Sequence, residues 1–451
     1  MIIQTHTAKT DERYLTAAGM DPAACIYFDI ETTGLKASTS HLYLIGYAVR
    51  ERCVDAQNGD VQVIQLFAEN TADEKLLLAR FAEACAKYRT VIHFNGDRFD
   101  IPYLEEKYRE YGMPSPFRAM STLDIYRMLR PFKAVLGLER LNQKSVETFL
   151  GIRRRDRYDG GQLIGVYRAY RDGLSACREE DLDKLMLHNY EDVLGMLALT
   201  ALIAYPLALG GGRKDTRAPI REEERKKTGA LSDGDARKDA LENTDEDERT
   251  GTGAPADREY ATKRGMLKLV KTGIVSQPAS VDGARRTDLL RMTCRTPVPV
   301  PVPVTMEKDL FRIDLFANTM DVSAILTEET LYHYFADYKN YYYLPLEDRA
   351  IHKSVARFMD SSHREKARAD TCYVKKAGRF LPVPPGAEYD RETYPAYRHD
   401  RKEKTEWVEL TDRLLNDLTG GGAAFGYLRL ILDSVSVKNK STYRKGASIY
   451  D

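Results

Sequence analysis

Between residues 22 and 206 the spacing of apolar positions changes period several times, and each change marks an element. ACIYFDIET (24–32) is an apolar, β-rich run that ends in the turn-like pair Thr33-Gly34. HLYLIGYAVR (41–50) and VQVIQLFAE (61–69) read as the next two strands of an antiparallel meander. Over 72–88 the pattern becomes helical, with Leu76, Leu77, Ala79, Phe81 and Ala84 as its apolar content. TVIHFN (90–95) reads as a buried strand, and DIPYLEEKYREYG (100–112) as a helix closed by Gly112. Leu123-Asp124-Ile125-Tyr126 is a further strand candidate, and helical patterns fill 139–149, 161–172 and 179–204. A strand meander followed by alternating helices and strands predicts an α/β domain around one mixed sheet.

Beyond this region the composition shifts. Residues 207–264 are almost all charged or small, with too little apolar surface to offset the entropy of ordering, which predicts a disordered tether between independently moving parts. Residues 1–21 read as an N-terminal extension, and 265–451 as an accessory, β-rich α+β region. That last region contains a Pro-Val alternation from Pro297 to Val304, which lacks most ladder donors and reads as extended polyproline II. In 331–359 many tyrosines flank a turn expected at Lys339-Asn340. Aromatic faces beside basic residues suit unpaired bases; a plain hairpin packed by its tyrosines fits the same pattern. Residues 373–382 read as another hairpin, and 405–418 as a helix that includes Trp407.

The chain has 451 residues, enough for two or three domains, with 68 Lys plus Arg against 68 Asp plus Glu. Zero formal charge excludes a protein that coats nucleic acid by bulk electrostatics, though not local basic patches. No membrane span or signal peptide is expected. The six scattered cysteines form no CxxC and suit a reducing cytoplasm, so a cytoplasmic location is expected.

The chemistry lies in three acidic segments. In Phe28-Asp29-Ile30-Glu31 the two carboxylates are two residues apart on a strand and project to one face, where they repel unless a cation lies between them. Asp100, in FNGDRFDIPYL, opens a helix, where a carboxylate also serves as a simple cap. His188 and Asp192, in HNYEDVLGM, are four apart and share a helical face, which also describes an ordinary solvated ion pair. Arg153, Arg154 and Arg155 form a basic loop that suits phosphates or plain solvent, and Gly160-Gly161 reads as a helix start. His41 and His93, in apolar strand contexts, read as satisfied core histidines.

Taken in order, FDIETTGL, FNGDRFDIPYL and HNYEDVLGM resemble the motifs of the DEDD superfamily of ribonuclease-H-like 3′→5′ exonucleases, and within it the YprB-type domain of bacteria. The flanks HLYLIGYAV, LDIYRMLR and LERLNQKSVETFLGIRRRDRYDGGQLIGVYRAY agree, so the resemblance covers roughly 22–205. It implies a ribonuclease-H-like mixed sheet flanked by helices. It also implies that Asp29, Glu31, Asp100 and Asp192 hold two Mg²⁺ or Mn²⁺ ions while His188 handles the attacking water. Thr32, Thr33, Leu35, Asn95 and Phe99 would then lie near the terminal nucleotide. The implied partner is the single-stranded 3′ end of DNA or RNA, with no membrane and no protein partner named. One departure stands out. The family carries Tyr four residues before the last Asp or His five before it, and here His188 occupies the tyrosine spacing. A neutral imidazole accepts a proton near pH 7 more readily than a phenol does. The other reading is a catalytically weak module that binds nucleic acid or protein on the same fold.

Overall fold

The computed structural model describes residues 1–50, 60–210, 267–277, 287–420, 423–435 and 443–445. Most of the expected tether lies outside these residues, although its first residues, to Gly210, are described.

The first region is built on a six-stranded sheet of β1 (Ile2–Lys9), β2 (Cys25–Thr32), β3 (Leu42–Arg50), β4 (Asp60–Phe67), β5 (Thr90–His93) and β6 (Ser121–Asp124). Its order is β1-β4-β3-β2-β5-β6. Strands β1 to β4 pair antiparallel, whereas β2–β5 and β5–β6 are parallel. The parallel pairs follow from the helices between them, α2 (Glu74–Cys85) and α3 (Asp100–Glu110), since a crossover returns the chain in the same direction. This is the expected ribonuclease-H-like mixed sheet flanked by helices, extended at one edge. The added strand, β1, and a short helix, α1 (Arg13–Ala17), come from the N-terminal extension, where no element was expected. Residues of β1 alternate weakly, and the strand is held by its register against β4.

Strand β2 is buried along nearly its whole length because both faces are covered. Ile26, Phe28 and Ile30 join the apolar cluster under α2 and α3, while Cys25 and Tyr27 face the other cluster, with Val193, Met196 and Leu197. Asp29 and Glu31 continue the second parity, toward the helical layer. That layer comprises α4 (Ile125–Leu129), α5 (Gln143–Phe149), α6 (Gly160–Arg171), α7 (Arg178–Leu199) and α8 (Ala204–Leu209). By length and composition Arg178–Leu209 is apolar enough to cross a bilayer, but 72% of its most apolar window is buried inside the protein. The expected strand at 123–126 instead ends at Asp124, whose side chain accepts from the Arg127 N–H at 3.2 Å and starts α4.

The second region adds β7 (Lys268–Gln277), β8 (Thr287–Arg295), β9 (Val304–Lys308), β10 (Phe311–Phe316), β11 (Thr319–Ile325), β12 (Thr327–Tyr334), β13 (Tyr341–Leu344), β14 (Arg349–His352), β15 (Glu365–Lys366), β16 (Tyr373–Val383), β17 (Ala396–Tyr397), β18 (Glu406–Glu409), α9 (Asp412–Thr419), α10 (Ala424–Val435) and β19 (Tyr443–Lys445). It is strand-rich, as expected, with sheets β19-β9-β10-β11-β8-β7, β12-β16-β18-β17 and β14-β13-β15. Three local expectations are corrected. Lys339-Asn340 is not the turn of a hairpin, because β12 pairs with β16 and β13 with β14. Residues 373–382 form one long strand, with Gly378 inside it. Trp407 lies in a strand, where it is buried, and the helix begins only after the cap Thr411. Long-range pairing decided each case, which local propensity does not register. The Pro-Val run is a connector outside any strand, and it buries Val298 and Val300.

The two regions share a core. Phe132, Val135 and Leu209 from the first line one small cavity with Met306, Ile313, Leu432 and Val435 from the second. The Tyr205 hydroxyl donates to the Val302 carbonyl at 2.6 Å. In place of parts that move independently, one apolar cluster takes residues from both regions. Replacing the fully buried Ile313 by Ala is expected to cost about 2–5 kcal/mol. The loss should appear both in Trp407 fluorescence and in hydrogen exchange along β2. An unfolding shift confined to Trp407, with β2 protection intact, would show that the two regions unfold separately.

Candidate active site

The site forms at the carboxyl end of β2. Asp29 and Glu31 lie on the face turned toward α7, and a register shift after Glu31 ends the regular pairing with β3. Directly across from Asp29 is Gly46 of β3. A Cβ there would stand 2.0 Å from Oδ1 of Asn189 and 2.8 Å from Val193 Cγ2, so only glycine lets α7 approach this closely. The fully buried Asn189 uses that space. Its Nδ2 donates to Asp29 Oδ2 at 3.1 Å, and its Oδ1 accepts from Gln65 Nε2 at 3.0 Å. Gln65 also donates to the Met186 carbonyl at 2.9 Å, which completes a dry polar chain from β4 to Asp29.

Next to Asn189 on α7, the buried His188 approaches the same acids. Its Nε2 lies 3.5 Å from Glu31 Oε1 and 3.3 Å from Asp192 Oδ2. Its Nδ1 lies 2.7 Å from Asp156 Oδ2. Burial works against ionisation of Asp156, but bonds from the Tyr158 N–H, His188 and Lys144 offset it and hold the carboxyl below its usual range. An ionised Asp156 only accepts, so Nδ1 carries a proton and the ring is held with Nε2 toward Glu31 and Asp192. Tyr190 instead packs against His6, with ring centroids 4.9 Å apart, and takes no part.

Asp192 is clamped by Arg154, whose Nη2 donates to Oδ1 at 2.7 Å and which also pairs with the buried Glu147. Gly195 makes room for Glu147, since a Cβ there would lie 1.9 Å from Oε1. Glu191 accepts from the backbone N–H groups of Arg155 and Asp156 at 3.0 and 2.9 Å, which docks the basic loop on α7. Arg154 is therefore not the solvent-facing phosphate contact the sequence suggests, because its charge is committed inside. Arg153 and Arg155 remain exposed.

Asp100 is the first residue of α3 and is buried. Burial pushes its carboxyl up to about 6, against bonds that include one from the Ile30 backbone. Asp29 is raised well above the carboxylate range by burial, then by Asp192, Glu31 and Asp100; Glu31 is raised by burial, then by Asp192, Asp100 and Asp156. The four predicted acids thus share one site. The loop before Asp100 is set by His93, which is 1% exposed and accepts from the Gly96 N–H through Nδ1 at 3.0 Å. Its Nε2 is buried 3.4 Å from Asp97 Oδ1 without a hydrogen bond among the described residues, and Nδ1 lies 3.9 Å from Asp124, so the expected core histidine is only half satisfied. His41 is the exception to the expected core histidines, with a 44% exposed side chain.

The neighbouring residues are also near. Thr32 donates to the Gly34 carbonyl at 2.8 Å, and Thr33 Oγ1 accepts from the His41 N–H at 2.9 Å, so both hydroxyls brace their own loop. Leu35 is 84% exposed beside them. Asn95 has a φ of 64°, which asparagine tolerates, and its buried Oδ1 has no partner among the described residues. The ring of Phe99 lies 5.7 Å from that of Tyr103. Sequence reasoning missed Asn189, Asp156, Glu147 and Gln65. Asn189 sits inside a quoted motif, three residues before Asp192, and Glu147 and Asp156 lie in a quoted flank, whereas Gln65 carries no local signal.

A set of oxygen donors that repel one another fits a hard divalent cation, and Glu31, His188 and Asp192 offer ligand atoms within 4.8 Å of one another. Residues 26–204 match a family model, RNase_H_2, described as RNase_H superfamily. No curated protein sequence matches the chain. Among solved structures, the chain is similar to the family B DNA polymerase from the hyperthermophilic archaeon Pyrobaculum calidifontis, at 16% identity and a TM-score of 0.31. That similarity covers 40% of this chain and 25% of the polymerase, so the chain spans about a quarter of its length. The family match over the first region points to nucleic-acid hydrolysis.

Two outcomes follow. Without metal, each raised carboxyl contributes stability that is present below its ordinary pKa and lost as pH rises through the folded value. In EDTA the thermal midpoint should therefore fall between about pH 4 and 7, and less so in Asp29→Asn. Added Mg²⁺ or Mn²⁺ should restore it, by more at higher pH; a pH-flat, metal-insensitive midpoint would separate the acids into independent groups. Gly46→Ala should destabilise by about 1–3 kcal/mol through overpacking against Asn189, measured by denaturant unfolding, and weaken the metal response as well.

Proposed function

We propose that the first region is a divalent-metal-dependent 3′→5′ exonuclease of the DEDD type, similar to YprB-type domains, that releases nucleoside 5′-monophosphates from a single-stranded 3′ end. The observation that supports this most is the convergence of Asp29, Glu31, Asp100 and Asp192, with His188 Nε2 within 3.5 Å of two of them. In this reading the four acids hold two Mg²⁺ or Mn²⁺ ions. Such a pair supplies a more acidic water and stabilises the charge that develops on the departing 3′ oxygen.

The chain's own residues do the rest. Asn189 fixes the Asp29 carboxylate through Nδ2, and Arg154 fixes Asp192 through Oδ1, leaving Oδ2 toward His188. Asp156 holds the imidazole with its Nε2 lone pair toward the acids, where it accepts the water's proton. That tautomer lets a histidine work at the tyrosine spacing. Leu35 projects as an apolar face for the terminal base, and the backbone of Thr32-Thr33 lies against its sugar. Asn95 and Phe99 flank the nucleotide from the α3 side, and Arg153 and Arg155 meet phosphates further along the strand. A second reading, binding with little turnover, draws on the Arg154 guanidinium, which offsets one acid's charge.

The test is degradation of 5′-labelled DNA and RNA oligonucleotides, single-stranded and duplex, in Mg²⁺ and in Mn²⁺. A ladder shortening from the 3′ end is expected, and it should vanish in chelator and in Asp29→Ala. His188→Ala should lower kcat by about 100-fold or more with little change in KM. Asp156→Asn should give a smaller loss, about 10-fold. Full rate in His188→Tyr would remove the imidazole from proton transfer. No cleavage by the folded wild type in either metal would favour the second reading.

A further inference from the structure

The second region carries a cleft of about 480 Å³ at β12 and β17. It arises from the way this sheet closes. Strand β12 pairs with β16 on one side, and on the other Tyr332 pairs with Arg398, just beyond β17, through two 2.9 Å backbone bonds. The order β12-β16-β18-β17 therefore returns to β12 as a small barrel around Leu331, Phe380 and Trp407.

One wall of the cleft is aromatic. Tyr332, Tyr334, Phe335 and Tyr338 come from a single stretch of chain, and all are partly exposed. Tyr332 and Tyr334 are braced by Tyr373, with centroids 4.9 and 5.6 Å away, so their rings are fixed before anything binds. The other wall is cationic, lined by Arg391, Arg398, Arg401 and Lys402. Glu406 is the only acid in the lining, and both Arg391 and Arg398 pair with it, at 3.0 and 2.7 Å. Four cations against one carboxylate leave three formal positive charges, although Asp370 and Asp400 lie near Tyr334 outside the lining. Among the described residues the side chains of Arg401 and Lys402 have no acidic partner, and the buried Nε of Arg398 has no hydrogen-bond partner.

We propose that this cleft binds single-stranded nucleic acid, with bases stacked on the tyrosine wall and phosphates on Arg398, Arg401 and Lys402. Fixed rings beside unneutralised cations match a polymer that alternates flat bases with anionic phosphates. An acidic peptide would meet the charges and leave the rings unused. The cleft would hold a strand at a second point, apart from the acidic centre. Its chemistry stands without the nuclease reading, which supplies only the reason a strand would be present.

The experiment measures anisotropy of a 5′-fluorescein-labelled single-stranded 20-nucleotide oligothymidylate, across a salt series in EDTA, with the full chain carrying Asp29→Ala. Adding Arg401→Glu and Lys402→Glu should weaken binding at least about 10-fold and flatten the salt slope by about 1.4, as two phosphate contacts at about 0.7 each require. Tyr334→Ala should weaken binding about 5-fold or more with the slope unchanged. Lys75→Glu with Lys87→Glu, the same charge change at exposed positions on α2 and just after it, serves as the control and should have little effect. Equal affinity in all variants overturns the proposal. Full competition by thymidine monophosphate would reassign the cleft to a small nucleotide, and stronger competition by polyglutamate to an acidic protein. Cleft-dependent binding by a chain that never cleaves would keep this site and remove the nuclease. Cleavage without cleft-dependent binding would do the reverse.

Discussion

The acidic centre depends on how closely α7 can lie against the strands β2 and β3. Gly46, opposite Asp29, permits that approach, and Gly195 on α7 likewise lets α5 bring Glu147 close, since a Cβ at either would stand about 2 Å from a side-chain oxygen. The space goes to polar side chains, Asn189 in one case and Glu147 in the other. Each reaches a carboxylate of the centre, Asn189 directly and Glu147 through Arg154. The same contact that closes the core therefore orients Asp29 and Asp192.

The centre is held in a state of electrostatic stress. Burial and mutual repulsion raise Asp29, Glu31 and Asp100 together, so folding without a cation works against their ionisation. The surrounding shell does not relieve this fully. Arg154 neutralises part of Asp192, while Asp156 faces the outer nitrogen of His188 and leaves Nε2 among the acids. Such an arrangement favours divalent-cation binding because the cation removes a cost the protein already carries.

The second region is joined to this scaffold by shared packing as well as by chain connectivity. The Pro-Val connector contributes alternate valines to the common core and a carbonyl to Tyr205, so a segment unable to form a ladder serves as a packing strip. The aromatic and cationic cleft is then carried by a barrel on the same body. Its position relative to the scaffold is set by apolar burial.

Much of this was legible from the residues alone. Periods of two and 3.6 placed the strands and helices of 22–206, because those signals are local, and the family resemblance of the ordered acidic segments brought out Asp29, Glu31, Asp100, His188 and Asp192. What local signals did not carry was decided in three dimensions. β1 forms because β4 offers an edge, Trp407 becomes extended because β16 and β17 pair with its strand, and Asp156 meets His188 across 32 residues of chain. Arg154 shows the limit most clearly. In the sequence it is one of three adjacent arginines, and only the buried Glu147 and the exposed loop around it determine which of the three turns inward. Periodicity reports which face of an element is buried, whereas the partner that meets that face is a property of the assembled fold.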